Sequence, residues 1–143
     1  MNTVDVTVVT AQEVLYKGKC SMVVATTVHG EIGVKPKHTP FLGILKPGQA
    51  TIHTDAGEIE IYYVSGGVIE VQPNMVTILA DDAQRAKDID EAKAQKARSD
   101  AAKLLAGKEK SVDFAKLQVE LAKSIAQISA LRKFKKHVEK RRS

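Results

Sequence analysis

Two patterns of hydrophobic positions divide the chain near Arg85. Before that residue, apolar and polar side chains alternate, most clearly over 4–8 and 58–61. A period of two predicts half-buried β-strands. After Arg85 the apolar residues recur every three or four positions, which is typical of amphipathic helices. We therefore predict a segregated fold, with an antiparallel β-sandwich or barrel followed by an antiparallel two-helix hairpin.

The first part is rich in residues that favour strands. Val, Ile and Thr fill 29 of the first 85 positions but 6 of the last 58, and β-branched side chains suit a pleated surface. We predict strands near 3–9, 12–17, 19–28, 31–35, 41–46, 48–54, 58–64, 66–72 and 75–79. Turns are predicted at Gly18, Gly30, Pro47-Gly48, 55–57, Gly66-Gly67 and Pro73-Asn74. The whole chain has three Phe, three Tyr and no Trp, so the core is expected to be aliphatic.

The second part reads as two helices of about 24 residues, each about 36 Å long. Asp81 and Asp82 are expected to cap a first helix over 83–106, which Gly107 ends. After the polar connector 108–110, Ser111 or Asp113 is expected to cap the second helix. The predicted apolar stripes contain Ile89, Ala97, Ala101 and Leu104 in the first helix, and Phe114, Leu117, Leu121, Ile125, Ile128 and Leu131 in the second.

Such a hairpin has a modest apolar seam, so its burial depends on one more surface, either the β domain or another protein. We therefore expect it to be weakly held and able to move.

Charge follows the same division, which predicts domains at 1–85 and 86–143. The first domain holds six Lys and Arg against nine Asp and Glu, whereas the second holds 16 against eight. From Arg132 onward there are seven basic residues and one acidic residue. This tail is either a solvated helix end or a surface for an acidic partner or nucleic acid. Nucleic acid is the weaker option, because Phe134 is the one aromatic residue there for base stacking.

Several classes of protein are disfavoured. The chain contains no run of 18 apolar residues, so no transmembrane helix is predicted. Residues 1–9 resemble neither a secretory signal nor a transit peptide. We therefore expect the protein to work in a reducing cytosol. The single Cys20 excludes an internal disulfide and is expected to be buried, with a reactive thiol as the minor alternative. The four histidines lack metal-ligand spacing, and no phosphate-binding or nucleophile motif is present. An enzyme with an unrecognised site is thus poorly supported, and no metal or catalytic residue is predicted.

The segment 30–42 is unusual in holding two glycines, two prolines, a carboxylate and a histidine among few apolar residues. It is either a connecting loop between strands or a loop that presents a contact surface.

In order and spacing, several segments resemble the epsilon subunit of the bacterial F-type ATP synthase, and the resemblance covers nearly the whole chain. They are 30–34, 38–42, 45–48, 64–71, 76–81, 112–114 and 121–123, which read GEIGV, HTPFL, LKPG, VSGGVIEV, VTILAD, VDF and LAK. The resemblance implies a non-catalytic central-stalk subunit of a proton-translocating enzyme, on the cytoplasmic face of the bacterial inner membrane. It also implies that the sandwich clamps the gamma subunit and sits on the ring of c subunits. Glu31 and His38 match the positions that contact that ring.

The resemblance further implies that the hairpin either folds against the sandwich or extends along the stalk. When extended, it inhibits ATP hydrolysis by meeting the catalytic alpha and beta subunits. The matching region supplies Lys123, Arg132 and Lys133 for contact with an acidic segment there. The alternative function, from the residues alone, is a basic helical hairpin that binds nucleic acid.

Some relatives bind ATP in the folded hairpin through an Ile/Leu-Asp-x-x-Arg-Ala pattern. The matching residues here are Ile89, Asp90, Lys93 and Ala94, with Lys93 in place of arginine. An ammonium group cannot reproduce the planar, bidentate guanidinium fork. We therefore expect no tightly bound cofactor, and weak ATP binding at most.

Overall fold

The computed structural model of the chain describes residues 2–107 and 113–142. Its strands are β1 (Val4–Val9), β2 (Val14–Thr27), β3 (Gly30–Val34), β4 (Phe41–Thr54), β5 (Ile59–Val64), β6 (Gly67–Val71), β7 (Met75–Ala80) and β8 (Ala83–Arg85). A 3-10 turn (Ala86–Asp88) leads to helices α1 (Glu91–Ala106) and α2 (Phe114–Arg142). The predicted order of a β domain followed by a helical hairpin is confirmed.

Two long strands join two layers of sheet. The strand order is β3-β2-β1-β7-β6-β4-β5-β8, and an additional β2–β4 pairing closes the strands into a flattened barrel. The first halves of β2 and β4 pair with β1 and β6, and their second halves pair with each other and with β3 and β5. β4 therefore belongs to both layers. β1 and β7 run parallel, while the other paired strands are antiparallel.

Two predicted turns are wrong, because the chain continues through them as strand. Gly18 lies inside β2, opposite Val6. Pro47 and Gly48 lie inside β4, where the register against β2 shifts. A shift of this kind bends a strand and tolerates proline, which has no amide hydrogen to donate. A Cβ on Gly48 would lie 2.6 Å from the Thr26 side chain. The bend thus carries β4 from one layer to the other.

The core between the layers is aliphatic, as predicted, with Tyr62 as its largest fully buried side chain. Cys20 is a buried free thiol, which confirms its expected location. Burial raises the pKa of the Cys20 thiol to about 11, so the reactive thiolate is disfavoured at neutral pH.

The predicted start of the first helix is wrong. Asp82 lies in a turn where its amide donates to the Ser65 hydroxyl at 2.8 Å, and the next three residues form β8 beside β5. Asp90 is the actual N-cap, since its carboxylate accepts a hydrogen bond from the Lys93 amide at 3.1 Å. β8 ends at Arg85, the predicted domain boundary, but the division into two domains stays a prediction.

The helices are 16 and 29 residues long, rather than equal as predicted. Asp113 begins α2, because its carboxylate accepts from the Lys116 amide at 3.1 Å. The alternative cap Ser111 and the connector 108–110 lie outside the described residues. At 1.5 Å per residue, α2 is about 43 Å long and α1 about 24 Å, so α2 continues well past α1.

The predicted stripes are correct in part. Ala101, Ile128 and Leu131 are buried, as is Ile89 just before α1. In contrast, Leu104, Phe114 and Ile125 are 44 to 45% exposed, Ala97 is also exposed, and Leu117 and Leu121 are half-buried. The reason is that α2 touches two neighbours at once, α1 and the sheet, so small residues such as Ala126 and Ala130 face inward instead.

Candidate functional sites on the sandwich and the hairpin

The hairpin lies folded against the second layer of the sandwich. Side chains from β5, the 3-10 turn, α1 and α2 share one apolar cluster, here called the hairpin cluster. Its members are Ile61, Tyr63, Ala86, Ile89, Ala94, Ala126, Ile128, Ala130 and Leu131, with Ile59 and Phe134 partly buried beside them. Four of the nine buried members are alanines, which bury little apolar area each. The apolar hold on the hairpin therefore comes mainly from Ile61, Tyr63, Ile89, Ile128 and Leu131.

Two side-chain hydrogen bonds also join α2 to the sandwich. The Lys133 ammonium donates to the Thr51 hydroxyl at 2.9 Å, and the Gln49 amide donates to the Ser129 hydroxyl at 2.6 Å. A separate ion pair between Lys135 and Glu91, at 2.5 Å, links α2 to α1. Both of its partners are about half exposed, so the pair contributes little.

Arg85 fixes the point where the sandwich passes into the hairpin. Its guanidinium donates to the Leu15 carbonyl at 2.5 Å and lies 5.8 Å from the centre of the Tyr62 ring. The next residue, Ala86, is fully buried. The residues between Arg85 and Asp90 therefore connect the sandwich to α1, with Ala86 and Ile89 buried in the hairpin cluster.

Glu31 and His38 lie at opposite ends of β3 and are not brought together. Glu31 is exposed and pairs with Thr26. His38 lies in the loop beyond the strand, with its Nδ1 2.6 Å from the Thr39 carbonyl. The segment 30–42 was expected to be a loop, but only part of it is one. Its first five residues form the edge strand β3, and residues 35–40 connect that strand to β4.

The three basic residues proposed for contact with catalytic subunits have different surroundings, and Lys123 lies apart from the adjacent Arg132 and Lys133. Lys123 is half-buried in a groove beside Tyr63, Asp82 and Glu120. Lys133 is bonded to Thr51. Arg132 is exposed beside the sheet. Positions 123 and 132 are about 14 Å apart along the helix axis.

The segment expected to resemble a nucleotide site has an acidic surrounding. Ile89 and Ala94 are buried, while Asp90 and Lys93 line a depression of about 290 Å³. A neighbouring depression of about 430 Å³ shares three of its lining residues. The charged groups lining the two are Asp82, Asp88, Asp90, Glu120, Lys93 and Lys123. Four carboxylates against two ammonium groups oppose a triphosphate.

Tyr63 lines the same groove. Burial raises the pKa of its hydroxyl, and the carboxylates of Asp82 and Glu120 raise it further. The hydroxyl therefore stays neutral at physiological pH and adds no further negative charge to the groove.

Sequence reasoning missed an apolar face on the first layer. Ile44, Val68 and Leu79 are directly opposite one another on β4, β6 and β7, and Leu42 lies two residues before Ile44 on the same face. Leu42 is 70% exposed, Ile44 62% and Leu79 52%. We call these four residues the apolar face. The signal was available, because Leu42 and Ile44 alternate with the buried positions of β4. Exposed apolar patches of this kind mark interaction surfaces.

No helix within residues 2–107 and 113–142 is both long and apolar enough to cross a membrane. In the same part of the chain, no group of three or more His, Cys, Asp or Glu side chains is placed to hold a metal ion.

Comparison with known families gives two matches in sequence order. Residues 3–86 match the family model for the ATP synthase delta/epsilon chain, beta-sandwich domain. Residues 82–132 match the model for the delta/epsilon chain, long alpha-helix domain.

Among individual relatives, an ATP synthase epsilon chain from Psychrobacter cryohalolentis is 48% identical over 135 residues, covering 94% of this chain and 98% of that one. One from Alkalilimnicola ehrlichii is 41% identical over 140 residues, covering 98% and 100%. A chain in the mitochondrial ATP synthase structure from Euglena gracilis shares the fold, with a TM-score of 0.81 at 23% identity over 90% of this chain and 81% of that one.

Proposed function

Because the chain belongs to the ATP synthase delta/epsilon family, we propose that its sandwich joins gamma to the c-ring and that its hairpin inhibits ATP hydrolysis. The chain is an epsilon-type, non-catalytic rotor subunit of the central stalk. The proposed place of action is the cytoplasmic face of the bacterial inner membrane, where the subunit is held through the complex. The nucleic-acid alternative has no support from the comparisons.

The observation that carries the regulatory part is the small hairpin cluster. A switch needs two arrangements that differ by only a few kcal/mol. The folded hairpin is held by an alanine-rich cluster and the two hydrogen bonds to Thr51 and Ser129. Each such bond contributes about 1 kcal/mol. Contacts with a catalytic subunit are therefore of sufficient size to compete with this packing.

The apolar face supports docking on gamma. Leu42, Ile44 and Leu79 are each more than half exposed, and burying one such side chain in an interface stabilises it by about 1.5–3 kcal/mol. The face lies on the first half of β4, whereas the hairpin covers the second half. Gamma could thus stay bound while the hairpin moves.

Contact with the c-ring is assigned to Glu31 and His38, with the edge of β3 between them. A single exposed charge pair is weak, so docking requires several contacts along this edge. We expect Glu31→Cys to crosslink to a c subunit in the assembled enzyme. Glu13→Cys is the matched control, because Glu13 is an exposed carboxylate just before β2, at the far end of that strand from Thr26, the partner of Glu31. Equal crosslinking of both variants, or of neither, would contradict this assignment.

In the inhibitory state, Lys123, Arg132 and Lys133 are proposed to meet an acidic segment of the catalytic subunits. Lys133 would have to release Thr51 first. The same ammonium group would then stabilise either arrangement, but not both at once.

The test is to lock the hairpin in its folded position. Gln49 and Ser129 are hydrogen-bonded across the interface, so cysteines at both positions can be bridged by a short thiol crosslinker. Since Cys20 is buried, it should not compete. Hydrolysis by the complex with the bridged chain should rise to the rate found after deleting residues from 112 onward, and cleaving the bridge should restore inhibition. The single-cysteine variants are the controls, and an unchanged rate in both the bridged and truncated complexes would contradict inhibition by the hairpin.

For ATP, we propose weak binding or none to the folded hairpin. The four carboxylates repel a triphosphate, and Lys93 lacks the bidentate guanidinium fork of the arginine in the family pattern. Titration calorimetry with the full chain measures this directly, and tight binding would refute the proposal.

A further inference from the structure

A further and larger cavity lies on the other side of α2, between its C-terminal part and the second layer. Its volume is about 700 Å³, within the range of pockets that hold small ligands. The apolar lining comes from Val24, Ile59 and Ile61 of the sheet. Both parts of the molecule line the cavity, because its apolar lining comes from the sheet and its polar lining comes largely from α2.

The charges of this cavity suit a ligand with one negative charge. Lys133, Lys136 and Lys140 line it together with Glu31 and Glu139. Three ammonium groups against two carboxylates leave a formal charge of +1 with neutral histidines. This balance favours a single anionic group and, unlike a strongly basic site, does not favour a polyphosphate.

His137 is the third observation. Its ring lines the cavity, and its Nε2 is a buried side-chain nitrogen with no hydrogen-bond partner among the described residues. Such an unmet polar group is costly and needs an explanation. A rotation of the imidazole that brought Nε2 to the cavity would let it donate to an anionic oxygen, which would supply the missing partner.

The basic lining also lies outside the residues that match the long alpha-helix domain. The match to the long alpha-helix domain stops at residue 132, and the three lysines and His137 all follow it. The groove beside Asp90 and Lys93, in contrast, lies within that match. The two sites therefore differ in position, in charge and in apolar content.

We propose that this cavity binds an amphiphilic monoanion, a carboxylate carried on a short apolar chain. The chain would lie on Val24, Ile59 and Ile61, and the anionic group beside Lys136 and His137. Since the sheet and α2 both form the site, the ligand binds the folded hairpin alone and stabilises it by mass action. A stabilised folded hairpin would inhibit hydrolysis less. This consequence rests on the proposed function, whereas the binding itself does not.

Binding is tested on the full chain with octanoate as the probe. Methyl NMR should show shifts at Ile59, Ile61 and Val24, and octanol or acetate should bind at least about tenfold more weakly, because each lacks one half of the recognition. Lys136→Gln should weaken octanoate binding about tenfold, whereas Lys116→Gln, at the exposed start of α2, should leave it unchanged. His137→Gln should also weaken binding.

Equal affinity for octanoate and octanol, or no effect of Lys136→Gln, would overturn the anionic site. Binding to phosphatidylglycerol vesicles without octanoate binding would instead identify a membrane surface and overturn the small-ligand site. Regulation is tested separately in the assembled complex, where octanoate should raise hydrolysis with the full chain and not with the chain truncated at 112. If octanoate binds but hydrolysis is unchanged while truncation still raises it, the regulatory consequence fails and the proposed inhibition stands.

Discussion

The sandwich and the hairpin differ in how much of their stability is their own. The sandwich encloses 18 buried residues between two layers, all contributed by its own strands. The hairpin cluster has nine, of which Ile61 and Tyr63 belong to the sandwich. We therefore expect the sandwich to fold without the hairpin, and the hairpin to keep its present arrangement only on the sandwich. The proposed function needs this difference, because one part is to stay docked while the other moves.

The largest expected effect is on the sandwich alone. Gly67 has φ +130°, and a Cβ there would lie 2.1 Å from the Leu79 carbonyl oxygen. Gly67→Val should destabilise the protein by more than about 4 kcal/mol, as measured by urea unfolding. Gly33→Ala is the control, since a Cβ on Gly33 would have no neighbouring atom within 4 Å. A Gly67→Val chain that unfolds like Gly33→Ala would mean that this turn can rearrange.

Next comes a change that loosens the hairpin and leaves the sandwich intact. Ile128 is 3% exposed in the hairpin cluster, and Ile128→Ala should weaken docking by about 2–4 kcal/mol. Ile125→Ala, at a site 45% exposed on the same helix, should cost under about 1 kcal/mol. Hydrogen exchange should then accelerate in α1 and α2 for the first variant but not in β1, β6 and β7. Loss of protection in both parts would show that they unfold together.

A smaller effect is expected at the hydrogen bond between Lys133 and Thr51. Lys133→Met removes the donor and should weaken the folded hairpin by about 1 kcal/mol, which is about fivefold in the exchange rates of α2 amides. Lys116→Met is the control, because it removes the same charge from α2 at a position that has no hydrogen bond to the sandwich among the described contacts. If both variants accelerate exchange to the same degree, net charge rather than this bond holds α2.

The smallest effect at neutral pH involves Tyr62. Burial raises the pKa of Tyr62 to about 12 from its ordinary value of 10, against the opposing influence of Arg85. The unfolded chain ionises first, so this contribution is complete below pH 10 and is lost as the pH rises from 10 through 12. Tyr62→Phe should therefore flatten the alkaline fall in unfolding free energy over that range. An equally steep fall would assign it to other groups, such as Cys20.

The sequence predicted the fold class well because periodicity reports burial on one face. It failed at Gly18 and Pro47-Gly48 because their place in the closed barrel depends on pairing with distant strands. Asp82 and Asp90 are equally good caps by residue type, and the pairing of β8 with β5 decides between them.

Ile125 fits the periodic apolar stripe as well as Ile128 does. The periodicity assumes that a helix is buried on one face, whereas α2 is buried on two sides, so the pattern does not distinguish the exposed Ile125 from the buried Ile128. The residue types of the candidate sites were visible in the sequence. The cavities beside α2 and the separation of Glu31 from His38 could not be predicted, because they depend on how distant segments pack together. The roles of these residues stay predictions.

The shared strand β4 has a mechanical consequence for a rotating shaft. Torque that enters a two-layer domain on one face has to leave through the other, and layers joined by flexible loops would shear under it. β2 and β4 instead run through both layers as continuous backbone, paired to each other. If gamma docks on the apolar face as proposed, its load passes along this continuous backbone to the layer that carries β3. The proposed movement of the hairpin then lies outside that path, so the hairpin can change position without interrupting the transmission of torque.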